Sequence, residues 1–327
     1  MFYYLSRFLI RLALPLFVRK LCVVNKSEVP HQKPVLLASN HSGSFFDALV
    51  IGAVLTQPMH TLARGDVFRK PKVARWLRRI KLIPVFRGSE GRENLKQIDS
   101  TMQECFTIME QNGTVVIFSE GICVNEWHLR PLGKGTARMA HQAWYGDEPL
   151  LHQLAVVPTG VNHEHFRGAN KRVILQFGET IRPDEIQTDP TEYEKWLREF
   201  NALLTQRMQG LLLEIPSDVA EEARLAALES YFADCGLPKG NSILNVLGKV
   251  GRLIHRPLHL LYVKRVAKAT QRTVFYDSVL FGSLTYTYPV IIGLLALLAG
   301  SLFGFAYGLG IFIGFPLLAM AGNRYRG

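Results

Sequence analysis

Hydrophobic and polar positions divide the chain into four stretches. Residues 1–21, MFYYLSRFLIRLALPLFVRKL, are aromatic and aliphatic but carry Arg7, Arg11, Arg19 and Lys20, with Arg7 and Arg11 one helical turn apart. Those charges argue against a spanning helix. They predict one lying in the plane of a membrane interface, basic on one side and rich in Phe, Tyr and Leu elsewhere. From Pro34 onward, short apolar runs at 35–38, 61–63, 82–86, 114–118, 155–157 and 173–177 predict strands, and 72–79, 92–111 and 135–144 have helical length and composition. Buried strands alternating with crossover helices predict an α/β fold, a mainly parallel sheet flanked by helices. Two amphipathic stretches, 193–213 and 217–232, follow as a helical cover, punctuated by Pro216 and Gly236.

The last stretch differs in kind. Residues 279–321 contain no charged side chain. As one helix they would reach about 65 Å at ~1.5 Å per residue, about twice a ~30 Å hydrocarbon core. Two helices of about 279–299 and 302–321, turning near Gly300 and Ser301, fit better, as a transmembrane or re-entrant helical hairpin. The predicted organisation is an N-terminal interfacial helix (1–25), a catalytic domain (26–215), a basic helical segment (216–275) and a membrane hairpin (276–322).

A chain of 327 residues with 48% hydrophobic and 20% charged residues can bury a substantial core. Its net charge of +11 raises nucleic acid as a partner, but no helix-turn-helix, zinc-finger or RNP signature is present. The cations cluster beside the hydrophobic ends, which points to anionic lipid, where each juxtamembrane Lys or Arg contributes about 1 kcal/mol. Lys264, Arg265, Lys268 and Arg272 precede the hairpin and Arg324 and Arg326 follow it, so both its ends are expected on the cytoplasmic side of an inner membrane, with the catalytic domain facing the cytosol. Cys22, Cys105, Cys123 and Cys235 form no C-x-x-C pair, which indicates neither a zinc site nor a dense disulfide framework and fits a reducing location. Cys123 reads as a packed bystander.

Candidate chemistry sits where predicted strands run into polar loops. The first strand ends in Ser39-Asn40-His41-Ser42-Gly43-Ser44-Phe45-Phe46-Asp47. His41 can act as a general base near neutral pH, and Asp47 is the nearest carboxylate able to orient its ring. Residues six apart on one regular helix lie about 120° out of phase, so a turn permitted by Gly43 must bring the two together. Arg87 follows Phe86 at the end of another strand and can bind a phosphate through its fork of donors. Ser119-Glu120-Gly121 and then Pro158 follow two more strands. Read as residue types alone, each also has a structural role: a loop His with an N-capping Asp, a solvated Arg, a capping Glu, a strand-ending Pro.

In this order and spacing, over 34–181, the four segments resemble the motifs of the glycerolipid acyltransferase family, which includes lysophosphatidate and glycerol-3-phosphate acyltransferases. Asn40-His41 with Asp47 resembles the first motif, Phe86-Arg87 the arginine motif, Phe118-Ser119-Glu120-Gly121 the Phe-Pro-Glu-Gly motif, and Val157-Pro158 the last. Five residues rather than the commoner four separate His41 from Asp47, and Ser119 stands where Pro is usual. The resemblance implies a catalytic pair of His41 and Asp47, with Asn40, Phe86, Arg87, Ser119, Glu120, Gly121 and Pro158 lining the substrate site. It implies transfer from acyl-CoA or acyl carrier protein to a hydroxyl of lysophosphatidate or a related glycerol-phosphate lipid, in phospholipid biosynthesis. No metal, cofactor or covalent acyl-enzyme is required. Competing classes are a serine hydrolase using Ser42 or Ser44, disfavoured because no G-x-S-x-G elbow is present, a non-enzymatic membrane adaptor, and a weak metal site at His163 and His165.

Overall fold

The computed structural model describes residues 1–86, 93–236 and 240–325. Arg87 and Arg326, both singled out by the sequence, lie outside the described residues. Seven strands form one sheet in the order β1-β7-β6-β2-β5-β3-β4: β1 (Val18–Val24), β2 (Val35–Ser39), β3 (Met59–Arg64), β4 (Leu82–Val85), β5 (Thr114–Phe118), β6 (Ala155–His163) and β7 (Lys171–Phe177). All neighbours pair parallel except β6 with β7. The expected mainly parallel α/β sheet is therefore present.

The central strand β2, VLLAS, is buried along its whole length. Successive side chains point to opposite faces. Val35 and Leu37 enter one core with Phe46, Val50 and Ile51 of α2 (Phe45–Val54) and Phe17 of α1 (Phe2–Phe17). Leu36 and Ala38 enter the other with Trp144 of α5 (Gly135–Tyr145) and Trp196 and Phe200 of α6 (Tyr193–Gln209). A strand covered on both faces needs an unbroken apolar run, which is why β2 was legible. Helices α3 (Pro71–Arg79) and α4 (Glu93–Glu110) make the crossovers between β3, β4 and β5.

Two expectations are corrected. The first 25 residues are not one helix, because α1 stops at Phe17 and Val18–Val24 continue as an edge strand on β7. The basic pair of α1 is also engaged by the protein itself, with Arg7 buried and Arg11 exposed. Arg7 Nε donates to the Gly52 carbonyl at 3.0 Å and its second arm to Leu55, while Arg11 donates to Ala53 at 2.8 Å and Leu55 at 2.6 Å. These are the orphan carbonyls at the C-terminus of α2, where cations are favourable. The outer face of α1 instead exposes Tyr4, Leu5, Phe8 and Leu12.

Beyond the sheet lie α7 (Glu221–Phe232), α8 (Ser242–Ala269), α9 (Tyr276–Phe303) and α10 (Phe305–Arg324). The last two are long and apolar enough to cross a membrane and turn at Gly304, whose φ of 104° suits glycine. Their far halves expose Leu297, Phe303, Phe305 and Phe312, whereas Tyr276, Leu280 and Phe281 are buried against the catalytic domain. A Cβ on Gly251 of α8 would sit 1.9 Å from the Leu318 carbonyl, so the two helix backbones meet there in direct contact. A disulfide joins Cys22 of β1 to Cys235 after α7. Pairing across 213 residues is invisible to a search for local cysteine motifs, and it removes cysteine usage as a reason to favour a reducing compartment.

Candidate active site

β2 delivers its polar loop at the carboxyl edge of the sheet, where open α/β sheets bind ligands. Asn40 is fixed first: its amide donates to the Val161 carbonyl at 3.0 Å and accepts from the Val161 N–H at 2.8 Å. It is 5% exposed, so it latches the loop onto β6 and has little surface left for substrate. His41 follows, half-buried, its ring stacked on Phe118 at a centroid distance of 3.9 Å. The loop then turns at Gly43 and Ser44. Ser44, at φ 60°, is the N-cap of α2 and places Asp47 in its first turn.

Asp47 is completely buried. Its Oδ2 accepts from His41 Nδ1 at 3.2 Å and from the Gly43 N–H at 2.9 Å, while Oδ1 accepts from His163 Nε2 at 2.6 Å. Burial alone would raise its pKa, but the hydrogen bonds from His163 and His41 outweigh it and hold the group below the usual carboxylate range. Asp47 thus stays ionised and holds the Nδ1–H tautomer of His41, leaving Nε2 as the basic atom. Gly43 does more than permit a turn. A Cβ there would lie 2.4 Å from both Asp47 Oδ1 and His163 Nε2, so any side chain would intrude on this hydrogen bond.

His163 was not anticipated in this role. The sequence suggested that Pro158 ends its strand, but β6 continues to His163. Pro158 faces Ala38 of β2, and the ladder to β7 begins only at Thr159. The lost N–H therefore falls before the second partner strand starts, where proline is tolerated. The five extra residues, Thr159 to His163, bring His163 to the same edge as His41. It is 1% exposed, and since Asp47 only accepts, its proton sits on Nε2. Its Nδ1 has no partner, and Trp127 Nε1 donates to its carbonyl at 2.7 Å. His163 is thereby committed to Asp47. Among the described residues no group of three His, Cys, Asp or Glu side chains could hold a metal.

The third segment closes the other side. Ser119 extends the ladder by donating its N–H to the Ser39 carbonyl at 2.9 Å, and its hydroxyl lies 2.9 Å from that of Thr136. Pro at this position could make neither contact, and the serine is bound into the framework. Gly121, at φ 71°, makes the turn. Glu120 between them is half-buried. Burial pushes its pKa up to about 7, against the lowering effect of main-chain N–H groups of Arg130 and His41. Phe86 packs over Gly65, where a Cβ would meet its ring at 2.2 Å. Asn125, which no motif flagged, donates to the Ser42 carbonyl at 2.6 Å and pins the loop that carries His41. Burial pushes the Cys123 thiol up to about 12, which keeps it protonated and inert.

The hairpin reaches the same helix. Ser278 Oγ, in the first turn of α9, accepts from the Phe46 N–H at 3.0 Å, one residue from Asp47. Beside it Asp277 pairs with Lys171 of β7, both groups buried, and accepts from the Gly168 N–H at 2.7 Å.

Residues 20–162 match the model of the family described as Acyltransferase. The 1-acyl-sn-glycerol-3-phosphate acyltransferase of Bacillus subtilis (strain 168) is 24% identical over 190 residues, spanning 58% of this chain and 86% of that protein. The crystal structure of the 1-acyl-sn-glycerophosphate (LPA) acyltransferase PlsC from Thermotoga maritima aligns with a TM-score of 0.42 and 15% identity, over 59% of this chain and 70% of that one. His163 and the hairpin lie beyond the matched segment. The segment that matches the acyltransferase family, from β1 into β6, is thus the one that sets a buried carboxylate to orient a histidine at the carboxyl edge of the sheet.

Proposed function

We infer that the protein moves a fatty acyl group from acyl-CoA or acyl carrier protein to the free hydroxyl of lysophosphatidate or a close glycerol-phosphate relative, in phospholipid synthesis at a membrane. The observation that carries this reading is the bond from His41 Nδ1 to Asp47 Oδ2, which leaves Nε2 free to act as base. In the proposed step Nε2 takes the proton of the acceptor hydroxyl as its oxygen attacks the thioester carbonyl. The C–O bond forms, the C–S bond breaks, and the proton passes from His41 to the departing sulfur. Asp47 stabilises the transient imidazolium.

The Bacillus subtilis relative, named for a 1-acyl-glycerol-3-phosphate substrate, supports an anionic acceptor. Arg87, by its chemistry, is our candidate for the phosphate, and Glu120 for a polar group of the acceptor. The apolar helices α9 and α10 support a membrane site. The cations flanking them favour a catalytic domain on the cytoplasmic side, and thiol labelling of Cys22 and Cys235 tests that. Ready labelling in intact cells with a membrane-permeant reagent supports a cytoplasmic domain, and labelling that appears only after reduction opposes it.

The test of function is acyl transfer by the full chain in detergent, with lysophosphatidate, glycerol-3-phosphate or a lyso-aminolipid supplied separately. Acylation of lysophosphatidate, absent in His41→Ala, is expected. Equal thiol release without any acceptor would replace the transferase reading with a thioesterase.

A further inference from the structure

A cavity of about 920 Å³ lies between α1, α8, α9 and α10 and touches none of His41, Asp47 or His163. Its walls are mainly apolar, with Leu12, Leu284, Ile292, Phe312 and Met320 among them. The volume falls within the range of about 300–1,000 Å³ typical of small-molecule sites. Two of its four walls are the helices long and apolar enough to cross a membrane. The chemistry that fits is a hydrocarbon chain.

Two polar features specify more than a chain. Thr285 of α9 lines the cavity, is 3% exposed, and its hydroxyl has no hydrogen-bond partner. Its near neighbour Thr287 shows the usual arrangement, donating to the Ser283 carbonyl four residues back at 2.7 Å. A buried hydroxyl left unpaired is costly, and an ester carbonyl of a glycerolipid supplies the missing acceptor. Arg256 of α8 also lines the cavity, is exposed, and forms no ion pair among the described residues. The neighbouring cations are already engaged: Arg252 donates to the Gly322 and Tyr325 carbonyls, and Arg11 to those of α2. Arg256 is therefore the cation left for a phosphate.

We propose that this cavity binds one membrane phospholipid, its chain among α1 and the hairpin, an ester carbonyl on Thr285 and its phosphate on Arg256. This lipid does not react. Phe17 and Phe281 form the cavity floor and pack on Phe46, with ring centroids 5.2–5.4 Å apart, and all three are buried. That layer separates the cavity from Asp47, the neighbour of Phe46. The bound lipid instead braces the wall behind α2. The proposal rests on the membrane placement of the hairpin and not on which acceptor is acylated.

The experiment is native mass spectrometry of the full chain, purified in mild detergent and washed extensively, with lipid extraction in parallel. One phospholipid per chain is expected, enriched in anionic headgroups. Leu284→Trp, which puts a bulkier side chain into the cavity, is expected to retain about tenfold less lipid, with unchanged circular dichroism as the check on folding. Arg256→Gln, at an exposed position, is expected to keep the lipid but lose the anionic enrichment. Detergent or free fatty acid alone in the wild type, or equal phospholipid in the wild type and both variants, would overturn the proposal. Failure of the wild-type chain to float with vesicles of anionic phospholipid would instead remove the membrane placement beneath it.

Discussion

The catalytic edge and the hairpin solve opposite problems. At the edge, buried polar groups are tolerable because nearly every atom is claimed: Asp47 accepts from two histidines and a main-chain N–H, and Asn40 uses both ends of its amide on Val161. At the hairpin, large apolar side chains remain exposed and polar ones are sparse. The first pattern serves rigid positioning in a protein interior, and the second suits lipid as solvent. The two regions meet at α2, where Ser278 fastens the hairpin to the element carrying Asp47, and beside it the Asp277–Lys171 pair fastens the hairpin to β7. The hairpin is thus a wall of the α/β domain at its base and an exposed apolar element at its tip.

Substitutions can separate these roles, beginning with the largest effect. His41→Ala removes the base and is expected to lower kcat by about 10²–10⁴-fold with the unfolding temperature little changed, as steady-state transfer and thermal unfolding together would show. Asp277→Ala should do the reverse, striking stability first. It strands Lys171 in the interior, and breaking one partner of a buried pair costs about 3–5 kcal/mol. A thermal midpoint close to wild type would show that the hairpin base is not fastened as described. Replacing both partners by apolar residues should recover most of the loss.

His163→Ala lies between the two. A hydrogen bond to a charged group contributes about 1.5–3 kcal/mol, so if that energy orients Asp47, kcat is expected to fall roughly ten- to a hundredfold with KM nearly unchanged. A rise in KM alone would mean that His163 contacts substrate instead. Ser278→Ala, which deletes only the acceptor of the Phe46 N–H, should cost about 1 kcal/mol.

Glu120 adds a pH-dependent difference. Its folded pKa is raised from 4.5 to about 7 by burial, so its contribution to stability is fully present below about 4.5 and is lost as pH rises through 7. Glu120→Gln should therefore flatten the decline in unfolding temperature across that window, and an identical slope in both proteins would place Glu120 in solvent. Asp47 acts with the opposite sign. Its pKa is depressed, so its contribution is present above 3.8 and lost as pH falls through the lowered value.

Legibility of these features in the sequence followed distance along the chain. His41 and Asp47 stand six residues apart, and an apolar strand before them marked the loop, so the pair could be read directly. His163 is 116 residues from Asp47, and it was hidden because Pro158 looked like a strand end. The edge strand β1 was missed for a related reason: VRKLCVV carries two cations and follows α1 with no intervening Gly or Pro, so nothing marks the change from helix to strand. Arg7 and Arg11 were visible as a basic pair, but their partners are carbonyls about 45 residues away, which no pattern of side chains reveals. The hairpin was legible from the absence of charge, yet its docking depends on single contacts through Asp277 and Ser278.

The most direct test of the central claim is thioester consumption by wild-type protein and His41→Ala, each with and without lysophosphatidate, followed by intact-protein mass spectrometry. Direct transfer by the His41–Asp47 pair requires rapid thiol release only in the wild type with acceptor present, matched by acylated lipid, and no acyl group left on the protein. Thiol release without acceptor, or a covalent acyl adduct on Ser42 or Ser44, would contradict it.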